Sequence, residues 1–285
     1  MKENYLTQEN IEAFIQSAFK EDVGEGDHST LAAIPRDQDG RAQLIIKEDG
    51  IIAGLELAVM IFNSYDPSLQ IEVFLKDGQQ VKKGDIGLKV KGKAASILTT
   101  ERLVLNCMQR MSGIATKTHQ LSEVISHTKA KLLDTRKTTP NFRMLEKWAV
   151  SIGGGKNHRF ALYDMIMLKD NHIDFSGGIE QAVAATRKYL KENLLDLKIE
   201  VETRNLEEVK EVLRVGGVDV IMLDNMSFEM MKEAVRLING KIPTEASGGI
   251  TEENLKDVAE CGVDYISVGA LTHHVKSMDI SLKAY

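Results

Sequence analysis

The stretch LKIEVETRNLEEVKEVLRVGGVDVIMLD, residues 197–224, decides how the second half of this chain folds. Its two apolar segments, 197–203 and 218–224, are typical of buried strands, and the segment between them has helical periodicity and ends at two glycines. A strand, a helix and a second strand in this order form a parallel crossover unit. The stretch therefore predicts an α/β fold with a parallel sheet.

The same alternation continues on both sides of this unit, from about residue 130 to residue 270. Further strand-like segments are found at 164–170, 241–247 and 263–269. Helix-like segments are found at 179–190, 230–240 and 251–262, and Thr251 is the N-cap that we expect for the last one.

Polar residues or glycines stand near the predicted ends of these strands. The set comprises Asp134, Lys169, Glu202, Asp224, Ser247 and Gly269. The last four are separated by 22, 23 and 22 residues, about one strand–helix unit each. Parallel α/β sheets and barrels bind ligands at the carboxyl ends of their strands, so the pattern favours a barrel with one site on that face. Ordinary loop polarity is the alternative explanation.

The first 110 residues have a different organisation. An amphipathic helix at 6–24 precedes short strands at 41–54 and 69–94, which are separated by Asp-Gly and Lys-Gly turns. The second strand region resembles a lipoyl- or biotinyl-type hammerhead, but the Met-Lys context of a modified lysine is missing. A long helix at 96–125 follows, which we expect to break near Gly113. We predict an α+β sandwich domain at 1–112, a barrel domain at 113–272, and a C-terminal segment, 273–285, that returns to the first domain.

The composition excludes several classes of protein. The chain has 285 residues and a net charge of −6, whereas nucleic-acid-binding proteins are usually basic. Its two cysteines, Cys107 and Cys261, form no CxxC pair, so neither a disulfide framework nor a zinc site is indicated. No apolar stretch approaches the ~18–20 residues of a membrane span. We expect a cytoplasmic protein without nucleic-acid or membrane partners.

The predicted barrel face combines cations with carboxylates. The cations are Arg136, Lys137, His158, Arg159 and Lys169, and the carboxylates are Glu200, Glu202 and Asp224. Arginine side chains match carboxylate and phosphate oxygens, and a few carboxylates with water suit Mg²⁺. Glu200 and Glu202 share one face of a strand, and Asp224 lies on the next strand. The set predicts an anionic ligand that brings a metal ion; structural ion pairing is the alternative.

Glycine-rich turns complete this inventory. Ser247, Gly248 and Gly249 follow one predicted strand, and Gly269 and His273 lie in the turn after the next. Glycines let backbone N–H groups approach a phosphate, and the last two loops of an α/β barrel often form a phosphate site. Plain turns are the alternative.

The chain contains many motifs of one family. Over nearly its full length it resembles the quinolinate phosphoribosyltransferases, which are also called carboxylating nicotinate-nucleotide pyrophosphorylases. The resemblance rests on EDVGEGDHST (21–30), ERLVLNCMQRMSGIAT (101–116), LDTRKTTP (133–140), GGGKNHR (153–159), MIMLKDNHI (165–173), IEVET (199–203), IMLDN (221–225), ASGGI (246–250) and DYISVGALTH (264–273). One departure is the NFR at 141–143, where a Gly-Leu pair is expected before the arginine.

The resemblance implies an N-terminal sandwich domain, an incomplete α/β barrel, and a homodimer with shared active sites that could assemble further. It implies that Arg102 is donated across the dimer interface. It places five basic residues around quinolinate: Arg136, Lys137, His158, Arg159 and Lys169. It places Glu202 and Asp224 near the ribose and Mg²⁺, and Ser247, Gly248, Gly249, Gly269 and His273 at phosphates. Thr135 and Glu200 are further expected substrate-binding residues.

The implied reaction joins quinolinate and phosphoribosyl pyrophosphate and releases pyrophosphate and CO₂, leaving nicotinate mononucleotide. Lys137, Lys169, Glu202 and Asp224 are the expected catalytic residues, and Glu202 and Asp224 the expected Mg²⁺ ligands. Two alternatives stay open: a paralogous phosphoribosyltransferase for another acidic ring, and a non-catalytic anion-binding module.

Overall fold

The structure is a computed structural model, and it describes residues 4–285. The chain forms two compact units. Unit 1 contains the described residues up to His119 together with Thr138–Gly154 and Leu271–Tyr285. Unit 2 contains Gln120–Lys137 and Gly155–Ala270. Within residues 4–285, no helix is both long and apolar enough to cross a bilayer.

The described residues form twelve strands and eleven helices. The strands are β1 Asp39–Ile46, β2 Gly50–Ile51, β3 Gln70–Val73, β4 Gln80–Val81, β5 Ile86–Lys93, β6 Lys131–Leu133, β7 Ile166–Leu168, β8 Ile199–Thr203, β9 Val220–Asp224, β10 Thr244–Ser247, β11 Tyr265–Ser267 and β12 Ile280–Ala284. The helices are α1 Gln8–Asp22, α2 His28–Ala33, α3 Leu55–Tyr65, α4 Ala94–Val124, α5 Arg143–Ile152, α6 Asp170–Ser176, α7 Ile179–Glu192, α8 Leu206–Val215, α9 Phe228–Ile238, α10 Leu255–Ala259 and α11 Ala270–His273.

Unit 1 is built on an antiparallel sheet in the order β12-β1-β5-β3. Along β1, Ala42, Leu44 and Ile46 are buried and alternate with more exposed residues, so one face of this strand forms core. The last strand, β12, pairs with β1 from Ala42↔Ala284 to Ile46↔Ile280. Unit 1 also includes α5, although its residues fall within the range 113–272 that was predicted as the barrel domain. The predicted domain boundaries stay predictions.

The helix predicted to break near Gly113 is instead continuous. α4 runs unbroken through 31 residues. A Cβ built on Gly113 would lie 2.3 Å from the carbonyl oxygen of Lys276. This glycine therefore serves close approach of another backbone segment, and it does not interrupt the helix.

Unit 2 contains a parallel sheet in the order β6-β11-β10-β9-β8-β7. The edge strands, β6 and β7, are consecutive in the chain, and a single bridge joins Leu133 at one edge to Lys156 in the segment between them. All five residues of β8 are buried, as expected for a parallel strand covered on both faces. The α/β prediction with an incomplete parallel barrel is confirmed.

The helices of unit 2 bury the faces that the sequence indicated. In α7 the buried residues include Ile179 and Val183, and in α9 they include Met231 and Ile238. The prediction for α10 was wrong at its start, because Asn254 and not Thr251 is its N-cap. The Asn254 side chain holds the preceding turn by accepting from Thr251 N at 2.8 Å and donating to Gly249 O at 2.8 Å.

Candidate active site

The residues predicted for the barrel face follow the carboxyl ends of the six strands of unit 2. Three residues come after β6, namely Thr135, Arg136 and Lys137, and Lys169 comes after β7. Glu202 and Asp224 lie near the ends of β8 and β9. Ser247 ends β10 and is followed by Gly248 and Gly249, and Gly269 follows β11. Because the strands are parallel, these ends meet at one edge of the sheet. The structure thus brings this set together within unit 2.

Buried Asp134 connects the end of β6 to the loop that carries His158 and Arg159. Its carboxylate accepts from Asn157 Nδ2 at 2.6 Å and from His158 N at 2.9 Å. Thr135 Oγ1 accepts from Lys137 N at 3.0 Å, which closes a short turn. The sequence analysis placed Asp134 at a strand end but missed its role as the anchor of this loop.

Two arginines of this edge lie near each other. Burial lowers the pKa of Arg159, and the positive charge of Arg136 lowers it further. Arg159 Nη1 donates to Met165 O at 3.3 Å. The carboxylates of Glu200 and Asp164 act on the pKa of Arg159 in the opposite direction, so this part of the edge combines cations with acids. Arginine side chains match carboxylate and phosphate oxygens of a ligand.

Lys169, which follows β7, forms an ion pair with Glu202 on β8. The distance from Lys169 Nζ to Glu202 Oε2 is 3.2 Å, and the lysine side chain is half exposed while the glutamate is buried. Glu202 Oε1 also accepts from Asp170 N at 3.4 Å. His172, which carried little signal in the sequence, accepts from Lys169 N at 3.0 Å through Nδ1 and so fixes the start of α6.

Glu202 and Asp224 lie on the same face of the sheet. Glu202 pairs with Met222, so Asp224 is two residues further along β9. Asp224 is half-buried and accepts from Asn225 Nδ2 at 2.6 Å. Mg²⁺ usually takes one or two protein carboxylates and completes its shell with water and substrate phosphate. Two carboxylates on one face of neighbouring strands are the ligand type that such an ion takes.

The turn after β10 requires glycine. Gly248 has φ +82°, and a Cβ on it would lie 2.3 Å from Asn225 Oδ1. Gly249 also has positive φ, at +59°. The following helix, α10, has only five residues, so the backbone N–H groups at this end of β10 belong to the turn and not to a long helix N-terminus.

A buried cluster lies deeper in unit 2. His158 Nε2 is 2.8 Å from Glu200 Oε2 and 3.3 Å from Glu245 Oε2, and both glutamates are fully buried. Burial raises the pKa of Glu200 to about 7, although its hydrogen bond to His158 acts in the opposite direction. Glu245 was missed in the sequence; its signal is an acid at an alternate position of the buried strand TEAS.

Unit 1 contains Arg102, His273 and a buried ionic network. Arg102 is exposed on α4, and His273 is exposed at the end of α11 with its ring 4.1 Å from that of His274. Their predicted roles stay predictions. Buried Glu146, which the sequence analysis missed, accepts from Arg110 Nη2 at 2.8 Å and from Thr139 N at 3.0 Å.

Comparison with known families gives matches over nearly the whole chain. The family model described as "Quinolinate phosphoribosyl transferase, N-terminal domain" matches residues 27–112. The model described as "Quinolinate phosphoribosyl transferase, C-terminal domain" matches residues 114–283.

Individual relatives match at similar extent. The "Quinolinate phosphoribosyltransferase [decarboxylating] 2, mitochondrial" of Nicotiana glauca is 49% identical and covers 96% of this chain and 82% of its own length. The "Probable nicotinate-nucleotide pyrophosphorylase [carboxylating]" of Bacillus subtilis is 42% identical, with coverages of 95% and 92%. The crystal structure of NadC from Streptococcus pyogenes superimposes with a TM-score of 0.92 at 40% identity, covering 98% of this chain and 99% of its own. This chain therefore belongs to the quinolinate phosphoribosyltransferase family.

Proposed function

We propose that this chain is a decarboxylating quinolinate phosphoribosyltransferase of NAD biosynthesis. It transfers the phosphoribosyl group of phosphoribosyl pyrophosphate to quinolinate and gives nicotinate mononucleotide, pyrophosphate and CO₂. The observation that carries this proposal is the carboxyl-terminal edge of the sheet, where Arg136 follows β6, Lys169 follows β7, and Glu202 and Asp224 lie on β8 and β9. Family membership identifies which dianion and which sugar phosphate suit such an edge.

In this proposal the cations hold quinolinate. Its two carboxylates are adjacent on a planar ring, and arginine forks bind such groups bidentately. Arg136, Lys137, Arg159 and Lys169 are the binding cations. Thr135, whose hydroxyl holds the Lys137 turn, and His158 complete the pocket.

The acids and the glycine turns hold the second substrate. Glu202 and Asp224 face the ribose in this proposal. Glu200 lies two residues before Glu202 on β8 and is the third acid of the site. Ser247, Gly248 and Gly249 bind phosphate oxygens through the turn after β10, and Gly269 does so after β11. Glu202 and Asp224 are also the residues that would hold Mg²⁺, and a bound Mg²⁺ neutralises charge on the pyrophosphate leaving group.

The chemistry then needs positioning and charge rather than a covalent nucleophile. The ring nitrogen of quinolinate bonds to the anomeric carbon while the bond to pyrophosphate breaks. Positive charge develops on the ribose, and the carboxylates of Glu202 and Asp224 stabilise this charge. Lys137 and Lys169 neutralise the negative charge of substrate oxygens near the reacting carbon. As CO₂ leaves, the electron pair of the carbon–carboxylate bond stays on the ring carbon, where the adjacent quaternised nitrogen stabilises it, and that carbon then takes up one proton.

We further propose a homodimer in which Arg102 of each chain enters the partner's site. The support is the family resemblance of the α4 motif and the exposure of Arg102 on that helix. Higher assemblies and a cytoplasmic location remain part of the same proposal.

A steady-state assay of pyrophosphate release tests the function. With phosphoribosyl pyrophosphate and Mg²⁺ present, quinolinate should support turnover and nicotinate should not. A Lys137→Ala variant measured in parallel controls for contaminating activity and should be inactive. Turnover with nicotinate and none with quinolinate would replace this proposal with the paralogous enzyme, and no turnover with either would reject it.

A further inference from the structure

We propose that Glu245 is a positioning residue for quinolinate binding, acting through the His158 ring on Arg159. The inference rests on the proposed function and extends it to a residue that contacts neither substrate. It is carried by a chain of contacts that runs from β10 through the imidazole to the backbone of Arg159.

The contacts leave both ring nitrogens engaged by protein. Nε2 faces Glu200 Oε2 at 2.8 Å and Glu245 Oε2 at 3.3 Å. Nδ1 accepts a hydrogen bond from Arg159 N at 2.7 Å. The His158 side chain is 8% exposed, so the ring is enclosed by these partners.

The bond at Nδ1 decides the protonation of the ring. An acceptor nitrogen has no proton, so the proton of a neutral imidazole lies on Nε2 and points at the two carboxylates. Burial lowers the pKa of His158, whereas its hydrogen bonds to Glu200 and Glu245 and their charges raise it above the ordinary value. A second proton on Nδ1 would nevertheless point at the Arg159 amide, and we therefore assign the neutral ring.

The same contact argues against a metal ion in this cluster. The three side chains offer ligand atoms within 4.8 Å of one another. A histidine that binds a metal through Nε2 carries its proton on Nδ1 and donates it to an acceptor. Here a donor, Arg159 N, faces Nδ1.

The two glutamates are costly residues to bury. Among the described residues, no N–H or hydroxyl group donates to Glu200 Oε1 or Glu245 Oε1, and the two carboxyl groups face each other, which raises the pKa of Glu200. Buried polar atoms without partners destabilise a fold, and such atoms are expected where function requires them. We assign the contact between Glu245 Oε2 and His158 Nε2 as the reason why this carboxylate is buried.

The imidazole transmits this contact to Arg159. His158 N is held by Asp134 at 2.9 Å, and Arg159 N is held by the ring, so the backbone on both sides of the Arg159 amide is fixed. The direction of the Arg159 side chain is set by this backbone. Loss of the Glu245 acceptor leaves Nε2 held by Glu200 alone, which lets the ring tilt toward β8 and so shifts the direction of the guanidinium.

Calorimetric titration with quinolinate tests this chain of contacts. Glu245→Leu keeps similar volume and removes the acceptor, and we expect Kd to rise about tenfold, the effect of losing one buried hydrogen bond. Glu245→Gln keeps a carbonyl acceptor for Nε2–H and should stay within about threefold of wild type. A Leu variant that binds within a factor of two of wild type, or a Gln variant as weak as Leu, would overturn the inference.

Two comparisons separate positioning from general damage. Thr244→Val is the matched control, because Thr244 is the neighbouring buried residue of β10 and bonds Asp264 from the other face. It should leave Kd unchanged, and Glu245→Leu should leave the KM for phosphoribosyl pyrophosphate unchanged. In a His158→Phe background, Glu245→Leu should add no further loss; multiplying effects would show that Glu245 acts independently of the ring.

A measurement without substitution at Glu245 covers the case in which the leucine variant does not fold. Nitrogen-15 NMR of labelled histidine, assigned with His158→Phe, should show Nε2 protonated and Nδ1 unprotonated near neutral pH. A proton on Nδ1 would overturn the inference. Wild-type turnover separates the two proposals: if wild type neither binds nor uses quinolinate, the proposed function fails, whereas normal wild-type turnover with an unaffected leucine variant rejects only the role of Glu245.

Discussion

Removal of the Glu146 carboxylate should be among the most destabilising single changes in unit 1. The side chain is fully buried and accepts from Arg110 Nε at 3.0 Å, Arg110 Nη2 at 2.8 Å, Thr139 N at 3.0 Å and Thr139 Oγ1 at 2.9 Å. Glu146→Ala leaves the arginine and a backbone N–H without this acceptor.

The size of the loss follows from these contacts. Removing one member of a buried ion pair typically costs ~3–5 kcal/mol. Arg110 is 23% exposed and keeps the carbonyl of Val275 as a partner at 3.1 Å. We therefore expect the lower end of that range, about 3 kcal/mol, for Ala. Glu146→Gln keeps one acceptor oxygen and should lose about 1–2 kcal/mol.

Urea unfolding followed by circular dichroism measures both variants against wild type. Glu180→Ala serves as the control, because it removes an ion pair with Arg214 whose two side chains are both more than half exposed. That control should leave the midpoint where it is in wild type. A loss below about 1 kcal/mol for Glu146→Ala, or equal losses for Ala and Gln, would show that the network does not stabilise this unit as argued.

Three further predictions concern the site. Arg136→Ala should weaken quinolinate binding by about 2–5 kcal/mol in calorimetry with an unchanged circular dichroism spectrum, and an unchanged Kd would remove this residue from the site. Glu202→Gln and Asp224→Asn should shift the Mg²⁺ dependence of the rate to higher concentration; a normal Mg²⁺ titration in both would leave them structural roles only. Mixed Arg102→Ala and Lys169→Ala chains should recover up to about a quarter of wild-type activity after subunit exchange, since one site of each hybrid dimer is intact. Confirmed exchange without recovery would contradict a shared site.

Much of the fold could be predicted because local pattern and tertiary structure agree in unit 2. The apolar segments 197–203 and 218–224 contain β8 and β9, and the residues that end them carry the expected carboxylates. Gly113 shows the limit of this approach. A glycine inside a helix is compatible with a break or with close packing, and only the approach of the Lys276 carbonyl distinguishes the two.

The residues that hold the predicted site residues in place could not be predicted from motifs. Glu245 is part of no motif in the sequence. The role that we propose for it depends on its contact with His158, which lies 87 residues earlier in the chain. The same limit applies in unit 1, where Glu146 accepts hydrogen bonds from Thr139 in a loop and from Arg110 on α4. Motif reasoning finds residues that touch ligands, whereas the residues that hold them in place emerge from contacts between distant segments.

The central claim is that this chain couples phosphoribosyl transfer to decarboxylation. Quinolinate carrying carbon-14 in the carboxylate beside the ring nitrogen, incubated with phosphoribosyl pyrophosphate and Mg²⁺, tests it most directly. We expect labelled CO₂ and pyrophosphate to be released in equal amounts and the nucleotide product to retain no label. Release of pyrophosphate with the label retained in the nucleotide would show that this chain does not couple transfer to decarboxylation.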